Sequence, residues 1–185
     1  YYDKANKGSW NALTVISISI GQGEVTATPL QIANLAATVA NRGHYYVPHV
    51  VKEIQNAELD SIYTTPQYTM VDEKWYKYAV EGMRAAVTGG TCRGAAIPGI
   101  EVCGKTGTAE NRGRDHSVFM GFAPMNEPKI AVSVYVENGG FGAVYGVPIG
   151  GLIMEQYLND SLSAASKVKA QNIQNSIINY GKQER

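Results

Sequence analysis

The sequence predicts an α+β fold in which helices pack against an antiparallel sheet of three strands. Residues 100–103 alternate apolar and polar side chains, and residues 117–123 and 130–136 are apolar on both faces. Residues 28–40 and 72–88 place apolar side chains at helical spacing instead. Because the three strand-like runs follow one another through short connections, we expect them to form an antiparallel meander.

The composition limits what the chain can do. Its 185 residues suffice for one domain with a sizeable core. The 16 basic and 16 acidic residues balance, so nothing indicates binding to nucleic acid or to an anionic membrane. Cys92 and Cys103 lack the spacing of metal ligands, and we expect packed thiols in preference to a disulfide. We therefore predict neither a metal nor a cofactor.

The first patterned stretch, residues 13–20, is rich in β-branched side chains. Ile16, Ile18 and Ile20 alternate with serines, which predicts a short strand or an extended segment. The glycines on either side of Gln22 end this pattern.

The best-marked helix begins after Thr28. Thr28 is a suitable N-cap, Pro29 fits the first helical position and Gln31 completes a capping box. The predicted buried stripe consists of Ile32, Leu35, Ala36 and Val39. We expect the helix to end at residues 41–43, with Gly43 in the C′ position.

Beyond this helix the signals are weaker. Residues 44–67 predict an irregular span in which His44 and His49 are loop residues rather than ligands. Asp72 is expected to cap a second helix that ends at the glycine pair 89–90, and Pro148 to open a last one. We divide the chain into a folded unit, residues 1–158, and a polar tail, residues 159–185, which is a solvated helix or a frayed end.

The eight residues 103–110 have the composition of an anion-binding strand. Lys105 contributes a compact cation, and the hydroxyls of Thr106 and Thr108 can both donate and accept hydrogen bonds. Gly107 has no Cβ, so another molecule can lie directly against the backbone. This stretch is the candidate binding site.

Two short motifs fit the candidate site. Gly99, Gly104, Lys105 and Thr106 match the phosphate-binding loop Gly-x-x-x-x-Gly-Lys-Ser/Thr. That loop requires a strand before its first glycine and a helix starting at its lysine, whereas here turn residues precede Gly99 and no helical period follows. The second match, Lys-Thr-Gly, is a signature of the serine penicillin-recognising enzymes, and the context favours it.

Several stretches occur in an order that resembles one family. They are Gly21-Gln22-Gly23, Thr26-Ala27-Thr28-Pro29-Leu30-Gln31, Asn41-Arg42-Gly43, Val47-Pro48-His49, Lys105-Thr106-Gly107-Thr108-Ala109-Glu110 and Gly121-Phe122-Ala123-Pro124. Each stretch alone is a weak signal, but their order and spacing are specific. Over residues 10–158 the chain resembles the C-terminal half of the transpeptidase domain of class B penicillin-binding proteins, most closely the penicillin-binding protein 2 group. The resemblance implies a serine β-lactamase-like fold whose sheet has five strands.

The resemblance also implies a chemistry, acyl transfer on D-alanyl-D-alanine stem peptides of peptidoglycan by a serine nucleophile. Thr106 and Thr108 would bind the carboxylate of the peptide or of a β-lactam, and the Thr108 N–H would form half of an oxyanion hole. Lys105 would supply positive potential, and Gly107 would let the strand approach the acyl group. Asp115 and His116 are interpreted as strand-entry residues only.

Two other family motifs, Ser-x-x-Lys and Ser-x-Asn, are expected to precede Tyr1. The spacing at Ser166 and at Ser9 imitates them, but both positions are wrong for the family order. We therefore expect the chain by itself to be inactive. A related D,D-carboxypeptidase or β-lactamase-like enzyme, or a non-enzymatic β-lactam-sensing domain, remains the alternative, and sequence upstream would discriminate among them.

The resemblance extends to partners and location. It implies the periplasmic face of the bacterial inner membrane, an anchor outside this chain and contact with the cell-wall elongation machinery. In the family, the strand that starts at Ile130 and ends at Glu137 pairs with an N-terminal strand that this chain lacks. Since an unpaired strand tends to pair with another chain, we predict self-association through this strand.

Overall fold

The computed structural model describes residues 12–23 and 25–179. Its helices are α1 (Ala12–Ser19), α2 (Pro29–Ala40), α3 (Ser61–Thr64), α4 (Glu73–Thr88), α5 (Gly146–Asn159) and α6 (Ala164–Gln174). Its strands are β1 (His44–Tyr45), β2 (Gln67–Tyr68), β3 (Cys103–Ala109), β4 (His116–Ala123) and β5 (Ile130–Val136). Among the helices described there is none whose length and apolarity would carry it through a membrane.

The predicted meander is confirmed. Strands β3, β4 and β5 form one antiparallel sheet in that order, so the motif strand β3 lies at an edge. The register places Thr106 opposite Phe119 and Phe119 opposite Val134, all on one face of the sheet. Gly107 pairs with Val118 on the other face. Side chains therefore alternate between two packing layers along every strand.

Helix α5 covers the face that carries Phe119. The ring is fully buried, and it packs with Val134, Val147 and Met154 in one apolar cluster. The helix can approach because Gly150 faces the ring, and a Cβ built there would lie 2.3 Å from a Phe119 ring carbon. We call this side the α5 face.

Helices α2 and α4 cover the start of β3 on the opposite side, which we call the α2/α4 face. Val39 of α2 and Val80 of α4 form a second cluster there with Cys103 and Phe122. Cys103 and Phe122 are paired across β3 and β4 and are fully buried. These contacts fix the N-terminal end of the motif strand.

The strand predicted over residues 13–20 is wrong, because this stretch forms helix α1. Leu13, Ile16 and Ile20 are more than half exposed, and none of the described strands pairs with the stretch. A helix satisfies its own backbone groups, as the 3.2 Å bond from Ile20 N–H to the Ile16 carbonyl shows. Without a neighbouring strand, β-branched composition does not decide the conformation.

The capping of α2 is confirmed at its start and corrected at its end. Thr28 and Gln31 form the predicted capping box. At the C-terminus Arg42, not Gly43, takes the C′ position, with φ of 59°. Its N–H binds the Val39 carbonyl at 3.1 Å and the next N–H binds the Thr38 carbonyl at 2.9 Å, a Schellman motif. The Arg42 guanidinium also donates a hydrogen bond to the Met125 carbonyl at 2.9 Å, which holds the side chain of this residue in place.

Three other boundaries also differ from prediction. The span after residue 44 contains the β1–β2 pair and the short helix α3, so His44 lies in a strand. Asp72 precedes α4 as predicted but makes no capping hydrogen bond through its side chain. Helix α5 begins at Gly146, two residues before Pro148, and α6 follows it within the polar tail, where the sequence had left either a helix or a frayed end open.

Candidate functional site at the edge of the sheet

The four candidate-site residues, 105–108, lie in the middle of β3. Lys105 is exposed, and its ammonium donates to the Thr106 carbonyl at 2.8 Å. Lys105 lies within a strand and no helix starts at it, which confirms that this stretch is not a phosphate-binding loop. The lysine charge instead lies beside the free edge of the sheet.

The main-chain groups of alternate residues point toward this free edge. The Thr106 carbonyl accepts a hydrogen bond from the Lys105 ammonium there, and the Glu110 N–H donates one to the Gln22 side chain at 3.3 Å. Successive residues of an antiparallel strand direct their N–H and C=O groups to opposite sides, so residues two apart share a side. The N–H of Thr108, between Thr106 and Glu110, accordingly faces the open edge.

The two threonine hydroxyls lie on the α5 face and have different neighbours. The Oγ1 atoms of Thr106 and Thr91 are 2.9 Å apart. The Thr108 hydroxyl accepts a long hydrogen bond of 3.4 Å from the Gly142 N–H. Gly142 can come this close because it lacks a side chain, since a Cβ there would be 2.7 Å from the Gly107 carbonyl oxygen. The loop before α5 thus packs against the motif strand on the α5 face.

A groove of about 480 Å³ opens on the opposite side of the strand. It runs between β3 and the segment that leads from α1 into α2. Gly107, Val118 and Tyr135 form its floor, while Gln22 and Ile32 contribute to its wall. Because Gly107 has no side chain, the floor of the groove is open along the strand next to Thr108.

The two cysteines are packed thiols, as expected from the sequence. Both are free and fully buried. Burial raises the pKa of Cys103 to about 11. Burial also raises the pKa of Cys92, although hydrogen bonding to Thr91 and the positive charge of Lys105 act in the opposite direction. Both thiols are therefore protonated near neutral pH, and neither is an activated nucleophile.

The Ser-x-x-Lys spacing at Ser166 has a structural role. The Ser166 side chain is buried, and its hydroxyl donates a hydrogen bond to the Glu155 carboxylate. Burial would raise the pKa of Glu155, but the hydrogen bonds from Ser166 and Ser163 lower it on balance. The carboxylate joins α5 to the start of α6. The Ser-x-Asn imitation at Ser9 lies outside the described residues.

His116 makes a contact that suits the strand-entry interpretation. Its Nδ1 accepts the Asn138 N–H at 3.0 Å, and its ring packs against Tyr135 at 5.3 Å between centroids. Thr91, Gln22 and Gly142 contact the motif stretch, and none of these contacts was predicted from the sequence. No sequence motif indicated that these residues would contact the motif stretch. The glycines beside Thr91 and Gln22 indicated only tight turns.

The comparisons with known proteins agree with this geometry. A family model described as the penicillin binding protein transpeptidase domain matches residues 3–158. The peptidoglycan D,D-transpeptidase MrdA of Acinetobacter baumannii is 37% identical over 159 residues, which cover 75% of this chain and 24% of that protein. MrdA of Haemophilus influenzae is 33% identical and matches 89% of this chain and 29% of its own length. The chain therefore spans about a quarter to a third of the length of the curated relatives it matches.

One solved structure is similar over most of the chain. The crystal structure of Pseudomonas aeruginosa PBP2 in complex with WCK 5153 matches with a TM-score of 0.76 and 34% identity, over 89% of this chain and 37% of that one. The resemblance seen in the sequence and the penicillin-binding fold class are thereby confirmed. The chain belongs to the penicillin-binding protein transpeptidase family.

Proposed function

We propose that this chain supplies one wall of the active site of a peptidoglycan D,D-transpeptidase. The observation that supports it best is the free edge strand β3, where the Lys105 ammonium, the Thr106 hydroxyl and the Thr108 N–H come from one stretch of four residues. An extended peptide can add to such an edge through main-chain hydrogen bonds. Cation, hydroxyl and amide together suit a peptide that ends in a carboxylate.

Each group has a distinct role in the proposed reaction. The Thr106 and Thr108 hydroxyls bind the terminal carboxylate of a D-alanyl-D-alanine peptide, or the carboxylate of a β-lactam. The Thr108 N–H donates to the scissile carbonyl oxygen as negative charge develops on it. Lys105 adds positive potential beside the reacting groups, and Gly107 leaves room for the acyl group.

The reaction that these groups would assist is a two-step acyl transfer. A serine Oγ attacks the peptide carbonyl carbon and loses its proton to a base, the C–N bond breaks, and D-alanine leaves with a proton on its amine. An amine of a second stem peptide then attacks the ester, which restores the serine and forms the cross-link. We assign the serine nucleophile to no residue of this chain.

We further propose the setting that the resemblance implies. The site would act on the periplasmic face of the bacterial inner membrane, in a membrane-anchored protein that works with the elongation machinery. Peptidoglycan stem peptides would be its substrates and β-lactams its inhibitors. A biotinylated copy of a full-length transpeptidase that carries this sequence, used to capture partners from the membrane fraction, tests the setting.

The function is tested by removing the Thr108 N–H in that full-length protein. Thr108→Pro deletes the donor, whereas Thr108→Ala keeps it and removes only the hydroxyl. An edge strand tolerates proline where the N–H faces solvent. Labelled penicillin should acylate the proline variant at least about 100-fold more slowly than the alanine variant. Equal rates in the two variants, or no acylation of the unsubstituted protein, would refute the proposal.

A further inference from the structure

Thr91 lies on a short loop that is fixed to the end of helix α4. The N–H groups of Gly90 and Cys92 both donate to the Ala86 carbonyl, at 3.1 and 2.9 Å. Gly90 packs against the helix, and a Cβ built on it would lie 2.9 Å from the Ala86 Cα. Cys92 is fully buried on the other side of Thr91. Anchors on both sides therefore hold the Thr91 backbone in place.

This fixed backbone directs the Thr91 side chain at the candidate site. Its hydroxyl lies 2.9 Å from the Thr106 hydroxyl, a bond in which either oxygen can be the donor. A hydroxyl has only one proton to donate. If Thr106 donates to Thr91, that proton is lost to a ligand. If Thr91 donates, the Thr106 proton is free to reach a carboxylate.

An anionic ligand selects the second arrangement. A carboxylate accepts hydrogen bonds and cannot donate them, so it requires the Thr106 proton. Thr91 then donates into the Thr106 oxygen, and the two bonds form a chain in which each polarises the other. The contact also restricts the rotation of the Thr106 side chain about χ1, so that less rotamer entropy is lost when the ligand binds.

We propose that Thr91 is a positioning residue that sets the specificity of the site for ligands with a carboxylate. This inference rests on the proposed function, because it assumes that Thr106 binds the carboxylate. Thr91 itself acts through Thr106 and does not touch the ligand. The hydroxyl of Thr91 is the group that matters, so serine should replace threonine and valine should not.

The experiment compares two ligands that differ only in the carboxylate. A full-length transpeptidase that carries this sequence is acylated with penicillin G and with its methyl ester, and the ratio of the two acylation efficiencies measures carboxylate specificity. Thr91→Val keeps the shape of the side chain and removes the hydroxyl, Thr91→Ala removes it without a steric risk, and Thr91→Ser restores it. We expect both hydroxyl-free variants to lower the ratio roughly tenfold, and the serine variant to keep it within about twofold.

The double variant with Thr106→Val separates the positioning role from a structural one. Once Thr106 has lost its hydroxyl, loss of the Thr91 hydroxyl should change the ratio no further, because the two act in series. If the Thr91 variants slow acid and ester equally, or if the effects of the two sites multiply, the inference is overturned. If Thr106→Val itself leaves the ratio unchanged, the carboxylate-binding role proposed for Thr106 fails, and the inference fails with it.

Discussion

The two edge strands of the sheet, β3 and β5, differ in what lies beside them. At the β3 edge, Thr91 contacts Thr106 and Gln22 binds the Glu110 N–H, so side chains from outside the sheet hold the strand on either side of Thr108. Beside β5, no strand or side-chain hydrogen bond of this kind occurs within residues 12–23 and 25–179. The hydroxyl of Ser133 in β5 is buried and has no partner in the same residues.

The difference shows how one kind of edge can serve two purposes. An unpaired edge is a general template for another strand, and side chains decide whether it is selective. The β3 edge presents a cation and two hydroxyls in fixed positions, which suits a small anionic ligand. The β5 edge presents apolar residues and main-chain groups, which suits another strand. The predictions that follow test this contrast.

The largest expected effect is on acylation when Lys105 is removed. In a full-length transpeptidase with this sequence, Lys105→Ala should slow acylation by penicillin at least about 100-fold, because the proposed role of Lys105 places its charge beside the reacting groups. Lys129→Ala, which removes an exposed lysine just before β5, is the matched control and should change the rate less than about twofold. Melting temperatures of both variants should stay near that of the parent. Similar rates for the two variants would reduce Lys105 to a surface residue.

The next prediction concerns stability at high pH, and it depends on the buried start of β3. Burial raises the pKa of Cys103 to about 11, so in the folded state the thiol stays protonated at a pH where the unfolded chain already ionises, above the ordinary value of 9.0. The unfolded state then binds fewer protons, and stability falls as the pH rises from 9.0 to about 11.

The loss attributable to Cys103 should be about 1–3 kcal/mol across that window. Urea unfolding of the parent and of Cys103→Ala, at several pH values, measures it. The alanine variant is less stable throughout because it leaves a cavity, but its stability should fall less steeply with pH. Parallel curves for the two proteins would show that Cys103 ionises normally in the folded state.

A smaller effect is expected on self-association through β5. If this edge pairs with a second copy, a lysine in the strand should oppose pairing by its charge and its long side chain. Tyr135→Lys in the 185-residue chain should weaken association about tenfold, as measured by light scattering over a concentration series. Tyr157→Lys, the same change on the exposed side of α5, should have no effect. A strictly monomeric parent at high concentration would contradict the prediction.

The smallest effect is expected at Gln22. Gln22→Leu removes the acceptor of the Glu110 N–H, while Gln22→Glu keeps it. Because this hydrogen bond is long and exposed, its loss should cost about 0.5 kcal/mol, seen as roughly twofold faster hydrogen exchange at Glu110. Unchanged exchange in the leucine variant would show that the contact does not hold the end of β3.

The sequence by itself determined the elements whose signals are local. Thr28, Pro29 and Gln31 lie within one turn of helix α2, and their capping bonds need no distant partner. The order of β3, β4 and β5 in the sheet was predicted from the short connections between these strands. The alternation over residues 100–103 indicated a strand leading into Lys105, although only Cys103 of these four residues lies within β3. Each of these features depends on interactions between residues that are close along the chain, so the sequence pattern is enough to predict it.

The tertiary structure decided everything that depends on distant partners. Residues 12–19 form a helix, and none of the described strands pairs with them. The alternation of Ile and Ser does not show whether a partner strand is available. Arg42 takes the left-handed conformation while its side chain binds the Met125 carbonyl, 83 positions away. The contact of Thr91 with Thr106 spans 15 positions and depends on the packing of α4 against β3. Hydrogen bonds of this kind act over about 3 Å in space and have no period in the sequence.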